Sequence, residues 1–112
     1  MKTLDIRRAA SEARAANPSR PATATVHDSA DVRLVVFRLA PGQAVAPHRN
    51  ASTVTLTAIA GRVIASGRDE EREIAPGEVV VYEPNETHGM RAIDEEAVLL
   101  AAITPRPGTR GE

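Results

Sequence analysis

The residues of this chain best suited to chemistry at neutral pH are three histidines, His27, His48 and His88. Imidazole titrates near neutrality and is the commonest side chain that binds metal ions in proteins. His27 lies at the end of a predicted strand, and the neighbouring sequence indicates no partner for it. His48 ends a predicted strand that a Pro-Gly turn opens, and His88 begins another strand after a turn that contains Pro84. These two histidines are therefore the candidate site.

The composition excludes several other chemistries. The chain has 112 residues and no cysteine, which rules out disulfides, thiolate metal sites and cysteine nucleophiles. With 14 basic and 15 acidic residues, the net charge of -1 does not indicate nucleic acid or an anionic membrane as a partner. The chain has one Phe, one Tyr and no Trp, too few for a base-stacking surface. It also lacks a membrane span and the apolar run of a signal peptide, so a cytoplasmic location is expected.

Strands must position the two histidines. Short segments rich in Val, Ile and Thr alternate with turn clusters from residue 23 onward, a pattern typical of a sandwich or barrel. The pattern predicts one all-β domain with strands at 22–27, 32–39, 43–48, 53–59, 62–66, 71–74, 79–82, 87–93 and 97–104. Ala and Arg at residues 3–16 favour a short helix before it. The predicted organisation is an N-terminal segment (1–21), a barrel (22–104) and a flexible C-terminal tail (105–112).

Glycine and histidine follow a regular spacing in two stretches, marked by Gly42, His48 and Gly61 in the first and by Gly77, Pro84 and His88 in the second. Five residues separate the first glycine from its histidine, and the glycine of the second stretch precedes its histidine by eleven positions. Together the stretches resemble the two motifs of the cupin superfamily. The resemblance covers about residues 32–103. It implies a single-domain cupin-type β-barrel of the RmlC-like jelly-roll kind, also called a double-stranded β-helix.

The resemblance also implies a metal site with missing ligands. The complete family site holds a divalent ion with three imidazoles and one carboxylate. His48 and His88 match that set, whereas Asn50 stands at the position of another histidine and Val54 at that of the glutamate. The implied site is a partial, weak one for Zn, Mn, Fe or Ni, made by His48, Asn50 and His88. The alternative is an apolar pocket in which two neutral imidazoles hydrogen-bond each other, Asn50 or water.

Further residues are candidates for the same pocket. Those predicted to line it beside the histidines are Val54, Leu56, Tyr82 and Met90. In sugar-epimerising cupins a Tyr acts as general acid, but an interior or interface position explains this Tyr more simply. Other candidates are Arg38 and Arg91 for an anionic substrate, and Glu83 and Glu86 as a replacement for the missing carboxylate.

Three hypotheses for function remain open. The first is a barrel that binds a small-molecule ligand, and the second is a metal-dependent enzyme of the dioxygenase or isomerase class. The third is an assembly subunit, because residues 79–82 and 97–103 are apolar on both predicted faces and a barrel interior buries only one. A homodimer through a sheet face is therefore predicted. The competing explanation is that the N-terminal segment folds back across these strands.

Overall fold

The computed structural model describes residues 1–107, which form one short helix followed by nine strands. The helix α1 spans Ile6–Glu12, and the strands are β1 (Ala22–Asp28), β2 (Arg33–Leu39), β3 (Ala44–His48), β4 (Thr53–Ala60), β5 (Val63–Ser66), β6 (Glu71–Ile74), β7 (Val79–Tyr82), β8 (His88–Ala92) and β9 (Ala97–Thr104). Each predicted strand is present, and no bound differs by more than one residue. The all-β prediction is confirmed.

The strands form two antiparallel sheets that enclose one core. Their orders are β1-β2-β9-β4-β7 and β3-β8-β5-β6. Strand β4 shows the alternation that makes this possible, because Val54, Leu56 and Ala58 are buried while the residues between them are half-buried. These inward side chains meet Leu99 of their own sheet and Met90 of the facing sheet in a single cluster. Two facing sheets of this kind are the jelly-roll arrangement that the sequence predicts.

The N-terminal helix is shorter than predicted. Asp5 caps its start, since the Asp5 carboxylate accepts a hydrogen bond from the backbone N–H of Arg8 at 3.0 Å. Ala13 then has an extended backbone, and Arg14 pairs with Thr23 of β1 through two backbone hydrogen bonds of 2.9 and 3.4 Å. Pairing with the sheet thus overrides the helix propensity of the following residues. Within residues 1–107, no helix is long and apolar enough to cross a membrane.

Strand β9 buries both of its faces. Leu99 and Ala101 point into the core between the sheets. On the outer face Val98 is 7% exposed and lies in a second cluster with Ala10 of α1 and Val36 of β2. The N-terminal segment therefore covers this part of the outer face, in line with the competing explanation.

The edge strand β7 keeps an uncovered face. Tyr82 is buried, but Val79 and Val81 are 51% and 54% exposed. No other part of residues 1–107 covers these two side chains to the extent that α1 covers Val98. The homodimer prediction therefore concerns β7 above all, and it stays a prediction.

The turn between β4 and β5 needs glycine at position 61. Gly61 has a φ of +70°, and a Cβ added there would lie 2.1 Å from the carbonyl oxygen of Glu96 and 2.9 Å from the Cα of Ala97. Gly42 has a similar φ of +79° but open space around it. Gly61 therefore allows the β4–β5 turn to pass directly against the start of β9.

The first residues of the predicted tail are attached to the barrel. The buried hydroxyl of Ser52 donates a hydrogen bond of 2.6 Å to the carbonyl oxygen of Pro105. The next residue, Arg106, binds the carboxylate of Asp28, with 2.6 Å between Nε and Oδ1. This hydrogen bond lowers the pKa of Asp28 below its ordinary value. The predicted flexibility of residues 108–112 lies outside the described residues.

Candidate functional site

His48 and His88 face each other on neighbouring strands. His48 ends β3, His88 begins β8, and the two are direct partners in the antiparallel pairing. The register of β3 shifts between Val45 and His48, as in a β-bulge, which re-aims the side chains that follow. The imidazole centroids are 4.1 Å apart, with 61° between the ring planes. His88 is 6% exposed, whereas His48 lies at the exposed rim.

Backbone carbonyl groups orient both rings. The Nδ1 atom of His48 lies 3.0 Å from the carbonyl oxygen of Ala46, and Nδ1 of His88 lies 3.3 Å from that of Glu86. A carbonyl oxygen only accepts hydrogen bonds, so in each ring Nδ1 is assigned a proton. In the neutral form of the ring the lone pair is on Nε2, which makes no hydrogen bond within residues 1–107. Each ring therefore offers one acceptor.

The environment of His88 favours its neutral form. Burial lowers the pKa of His88 below its ordinary value, and positive charge on the neighbouring His48 lowers it further. The carbonyl of Glu86 opposes these effects but does not outweigh them. At pH 7 His88 is therefore an uncharged hydrogen-bond acceptor.

The two histidines line a small cavity between the sheets. Its volume is about 60 Å³, room for about two water molecules. Of the other residues predicted for the site, those at the cavity are Asn50, Val54, Leu56 and Met90. The structure adds lining residues that the sequence did not single out, namely Phe37, Val45, Gly89, Ala101 and Ile103. The cavity thus brings the two histidines together with Asn50 and a set of mostly apolar side chains.

Inward alternation explains why the additional residues reach the cavity. On β2, Phe37 faces the core, and its partner Leu99 on β9 does so as well. Ile103 lies four residues further along β9 and so shares that face. The period of two along these strands predicts which residues face inward. It does not predict the pairing between strands, which decides which inward residues lie beside the histidines.

Asn50 lies in the loop after β3, and hydrogen bonds hold this loop. The side-chain oxygen of Asn50 accepts a hydrogen bond from the backbone N–H of Ser52 at 3.0 Å. The backbone oxygen of Asn50 accepts another from Asn85 at 2.8 Å, which connects the loop to the turn before β8. The side-chain oxygen is therefore already engaged in ordering the loop.

Tyr82 differs from its prediction as a pocket residue. Its ring lies beside His88, with 5.3 Å between centroids, but it is not among the residues that line the cavity. The hydroxyl donates a hydrogen bond of 2.9 Å to the backbone oxygen of Ser66. Burial raises the pKa of this phenol above its ordinary value. The ring of Tyr82 therefore packs beside His88, while its hydroxyl binds the backbone of the facing sheet.

The charged candidates also lie away from the cavity. Arg38 donates a hydrogen bond to the carbonyl oxygen of Ala10 in α1, on the outer face of its sheet. Arg91 forms an ion pair of 3.1 Å with the carboxylate of Glu71. Glu83 and Glu86, the candidates for the missing carboxylate, are both exposed. The carboxylate of Glu86 accepts a hydrogen bond from the backbone N–H of Glu83. None of these four side chains lines the cavity within the described part of the chain.

Comparison with known proteins agrees with this geometry. The family model described as "Cupin domain" matches residues 35–104. The chain belongs to the cupin family. Among curated proteins, none matches it in sequence. The resemblance inferred from the glycine and histidine spacing is therefore confirmed.

Solved structures share the cupin fold over nearly the whole chain. TT1209 from Thermus thermophilus is 29% identical, with a TM-score of 0.84 over 96% of this chain and 100% of that one. An RmlC-like cupin from Desulfovibrio desulfuricans is 24% identical, with a TM-score of 0.80 over 94% and 97%. A double-stranded β-helix protein from Klebsiella pneumoniae is 21% identical, with a TM-score of 0.83 over 95% and 91%. These similarities establish the fold, and the fold supports a small-molecule-binding domain.

The donor set of this cupin fits a metal ion only in part. Two imidazoles with free Nε2 atoms resemble metal ligands, whose other nitrogen is usually held by a carbonyl or carboxylate. However, Val54 supplies no donor, and within residues 1–107 no three side chains of His, Cys, Asp or Glu come together as a metal site. Two neutral nitrogens do not compensate the charge of a divalent ion. The residues present therefore do not make the complete site of the family.

Proposed function

We propose that this cupin binds a small organic molecule and that His48 and His88 are its polar anchors. The observation that carries the proposal is the pair of unpartnered Nε2 acceptors, within residues 1–107, on rings that line a cavity in which Asn50 is the other polar side chain. An apolar pocket with a few convergent polar groups is the usual form of a small-molecule site. A ligand that donates a hydrogen bond satisfies one acceptor while its apolar part fills the cavity. This function does not require a metal.

The test uses 1-hexanol, whose hydroxyl can donate to Nε2, titrated into isotope-labelled protein and followed by NMR. Saturable shifts are expected at the methyl group of Met90 and at the ring of His88. Replacing both rings, His48→Phe with His88→Phe, removes the acceptors but keeps aromatic side chains. The affinity should fall about fivefold, since one hydrogen bond contributes about 1 kcal/mol. The matched control is His27→Phe, which is away from the cavity and should bind as the wild type does. Absence of saturable shifts at Met90 would overturn the proposal.

The second candidate function is a metal-dependent enzyme on a small molecule, of the dioxygenase or isomerase class. It is favoured by the backbone carbonyl groups that hold Nδ1 of both rings and leave Nε2 available, as in metal-binding histidines. Elemental analysis of protein purified without an affinity tag decides between the two. Stoichiometric Fe, Mn, Ni or Zn that is lost on His48→Ala supports the enzyme. Its absence from folded wild-type protein would remove the metal-dependent function.

A homodimer through the outer face of the five-stranded sheet is also proposed. It is supported by Val79 and Val81, which are half exposed on the edge strand while α1 covers Val98 of the same sheet. Exposed apolar side chains that adjoin one another are typical of interfaces. A second copy packed on this face would bury both side chains.

Light scattering at micromolar concentration tests the dimer. We expect twice the chain mass of 11.9 kDa for the wild type and a monomer for Val79→Ser with Val81→Ser. The matched control is Thr23→Ser, an exposed strand position on the opposite edge of the sheet, which should remain dimeric. A wild-type mass near 11.9 kDa would contradict the dimer.

A further inference from the structure

The cavity beside the histidines is too small for an entire organic ligand. Its volume of about 60 Å³ compares with roughly 300–1,000 Å³ for sites that enclose small molecules. A ligand anchored on His48 and His88 must therefore extend into adjoining space. The structure has two open grooves that share lining residues with this cavity, and their charges differ.

The first, which we name the arginine groove, lies between the N-terminal segment and strands β1 to β3. Its volume is about 500 Å³, and it shares Phe37 and Val45 with the cavity. Arg14 and Arg20 are the charged residues that line it. Within residues 1–107 neither guanidinium has a carboxylate partner, and that of Arg14 donates to the backbone oxygen of Glu12 at 3.1 Å. The arginine groove thus carries uncompensated positive charge beside two apolar residues that also line the cavity.

The second, which we name the acidic groove, is also large, at about 520 Å³, and it shares Val45 and Met90 with the cavity. Its charged lining residues are Arg68, Asp69, Glu70, Glu71 and Arg91. The lining has three carboxylates and two guanidinium groups. Arg91 pairs with Glu71 at 3.1 Å, and Arg72 pairs with Glu70 at 3.1 Å, so the acidic groove has no excess of positive charge. An anion is therefore attracted to the arginine groove and not to the acidic groove.

The arginine groove is built on a fixed backbone. Two backbone hydrogen bonds tie Arg14 to Thr23 of β1. The backbone N–H of Arg20 donates to the carbonyl oxygen of Asn17 at 3.1 Å. The side chain of Gln43, just before β3, donates to the carbonyl oxygen of Pro18 at 3.0 Å. The segment that carries both arginines is thus attached on both sides of the groove, to β1 and to the residue that precedes β3.

We infer that the arginine groove binds the carboxylate of an amphipathic organic acid whose hydrocarbon chain passes Phe37 and Val45 and whose terminal hydroxyl donates to a histidine Nε2 in the cavity. This inference rests on the proposed function and names its ligand class. Guanidinium groups match a carboxylate in charge and geometry, and the charge-assisted hydrogen bonds are stronger than neutral ones. The apolar side chains of Phe37 and Val45 suit a hydrocarbon chain, which makes a highly charged polyanion a poor match.

The test compares 6-hydroxyhexanoate with 1-hexanol, since both have six carbons and a terminal hydroxyl and only the first has a carboxylate. Wild-type protein should bind 6-hydroxyhexanoate more tightly, with NMR shifts both at the arginine groove and at Met90. Arg14→Gln with Arg20→Gln should weaken 6-hydroxyhexanoate about tenfold and leave 1-hexanol unchanged, because only the charge-assisted contacts are lost. Arg68→Gln is the matched control, as it removes an arginine from the acidic groove and should leave both affinities unchanged.

The outcomes separate this inference from the proposed function. Equal 6-hydroxyhexanoate affinity in the double variant and the wild type would overturn the inference, and so would 6-hydroxyhexanoate shifts confined to the arginine groove. Binding of 1-hexanol at Met90 would in either case leave the proposed function standing. If neither compound shifts Met90, the proposed function fails and the ligand path fails with it.

Discussion

Completing the family's metal site should turn this cavity into a site that binds divalent ions with high affinity. The change is Asn50→His with Val54→Glu. Both positions line the cavity with His48 and His88, and Val54 is 3% exposed. The double variant would offer three imidazoles and one carboxylate, a set that compensates the charge of Mn²⁺ or Zn²⁺ and supplies four donors.

Without metal, the double variant should be less stable than the wild type. A carboxylate at position 54 is buried among apolar side chains, and removing a charge from water costs several kcal/mol unless it is compensated. Part of this cost is avoided by protonation, because burial raises the pKa of a carboxyl group. Metal binding reverses the loss by pairing the charge. At a free concentration of about 100 times Kd, the ion stabilises the folded state by about 2.7 kcal/mol.

Thermal unfolding with and without MnCl2 measures this effect. For a domain of this size we expect the ion to raise Tm by about 10 °C, at roughly 4 °C per kcal/mol. Calorimetric titration of the folded double variant then gives Kd directly. The matched control is Asn50→His with Val54→Gln, which has the same shape but no charge and should show a much smaller rise. A folded double variant with no gain in affinity would refute the assignment of position 54 to the missing glutamate.

Three further predictions concern stability. The free energy of unfolding should fall as the pH drops below about 6.5, because the pKa of His88 is lower in the folded protein and the unfolded chain therefore binds a proton there more tightly. Urea titrations at several pH values should show a weaker pH dependence for His88→Asn and an unchanged one for His27→Asn. Gly61→Ala should lower the free energy of unfolding by about 3 kcal/mol, because φ is positive and the new Cβ would lie 2.1 Å from a backbone oxygen. Gly42→Ala has a similar φ but open space and should lower it by only about 1 kcal/mol, so equal losses would contradict the steric argument. Tyr82→Phe should cost about 1 kcal/mol through loss of one buried hydrogen bond and leave the 1-hexanol affinity unchanged, while a weaker affinity would place the hydroxyl in the site.

Local sequence was enough to predict the strands and the family. Each strand is bounded by turn residues, and alternation along a strand needs no knowledge of the remaining chain. The positions of Gly61 and His88 carried the family resemblance for the same reason. The family pattern predicted that Val54 lines the pocket, and alternation with His88 predicted the same for Met90; both are buried in the structure. Helix length was less predictable, because the pairing of Arg14 with Thr23 joins segments that are separated by a turn.

The immediate surroundings of the histidines depend on contacts that are distant in sequence. The pairing of β3 with β8 brings the ring centroids of His48 and His88 to 4.1 Å from each other. A register shift in that pairing sets the direction of the His48 side chain. Tyr82 is buried beside His88, but its hydroxyl donates to the backbone oxygen of Ser66 in the facing sheet, a contact that the sequence did not indicate.

The N-terminal segment shows the same dependence on tertiary structure. Arg14 and Arg20 belong to a segment whose sequence indicates only a helix and its end. They reach the binding region because hydrogen bonds to β1 and to Gln43 hold that segment beside the barrel. A residue's spacing predicts its face on a strand, but the neighbours that it meets there are set by how the sheets and the N-terminal segment pack.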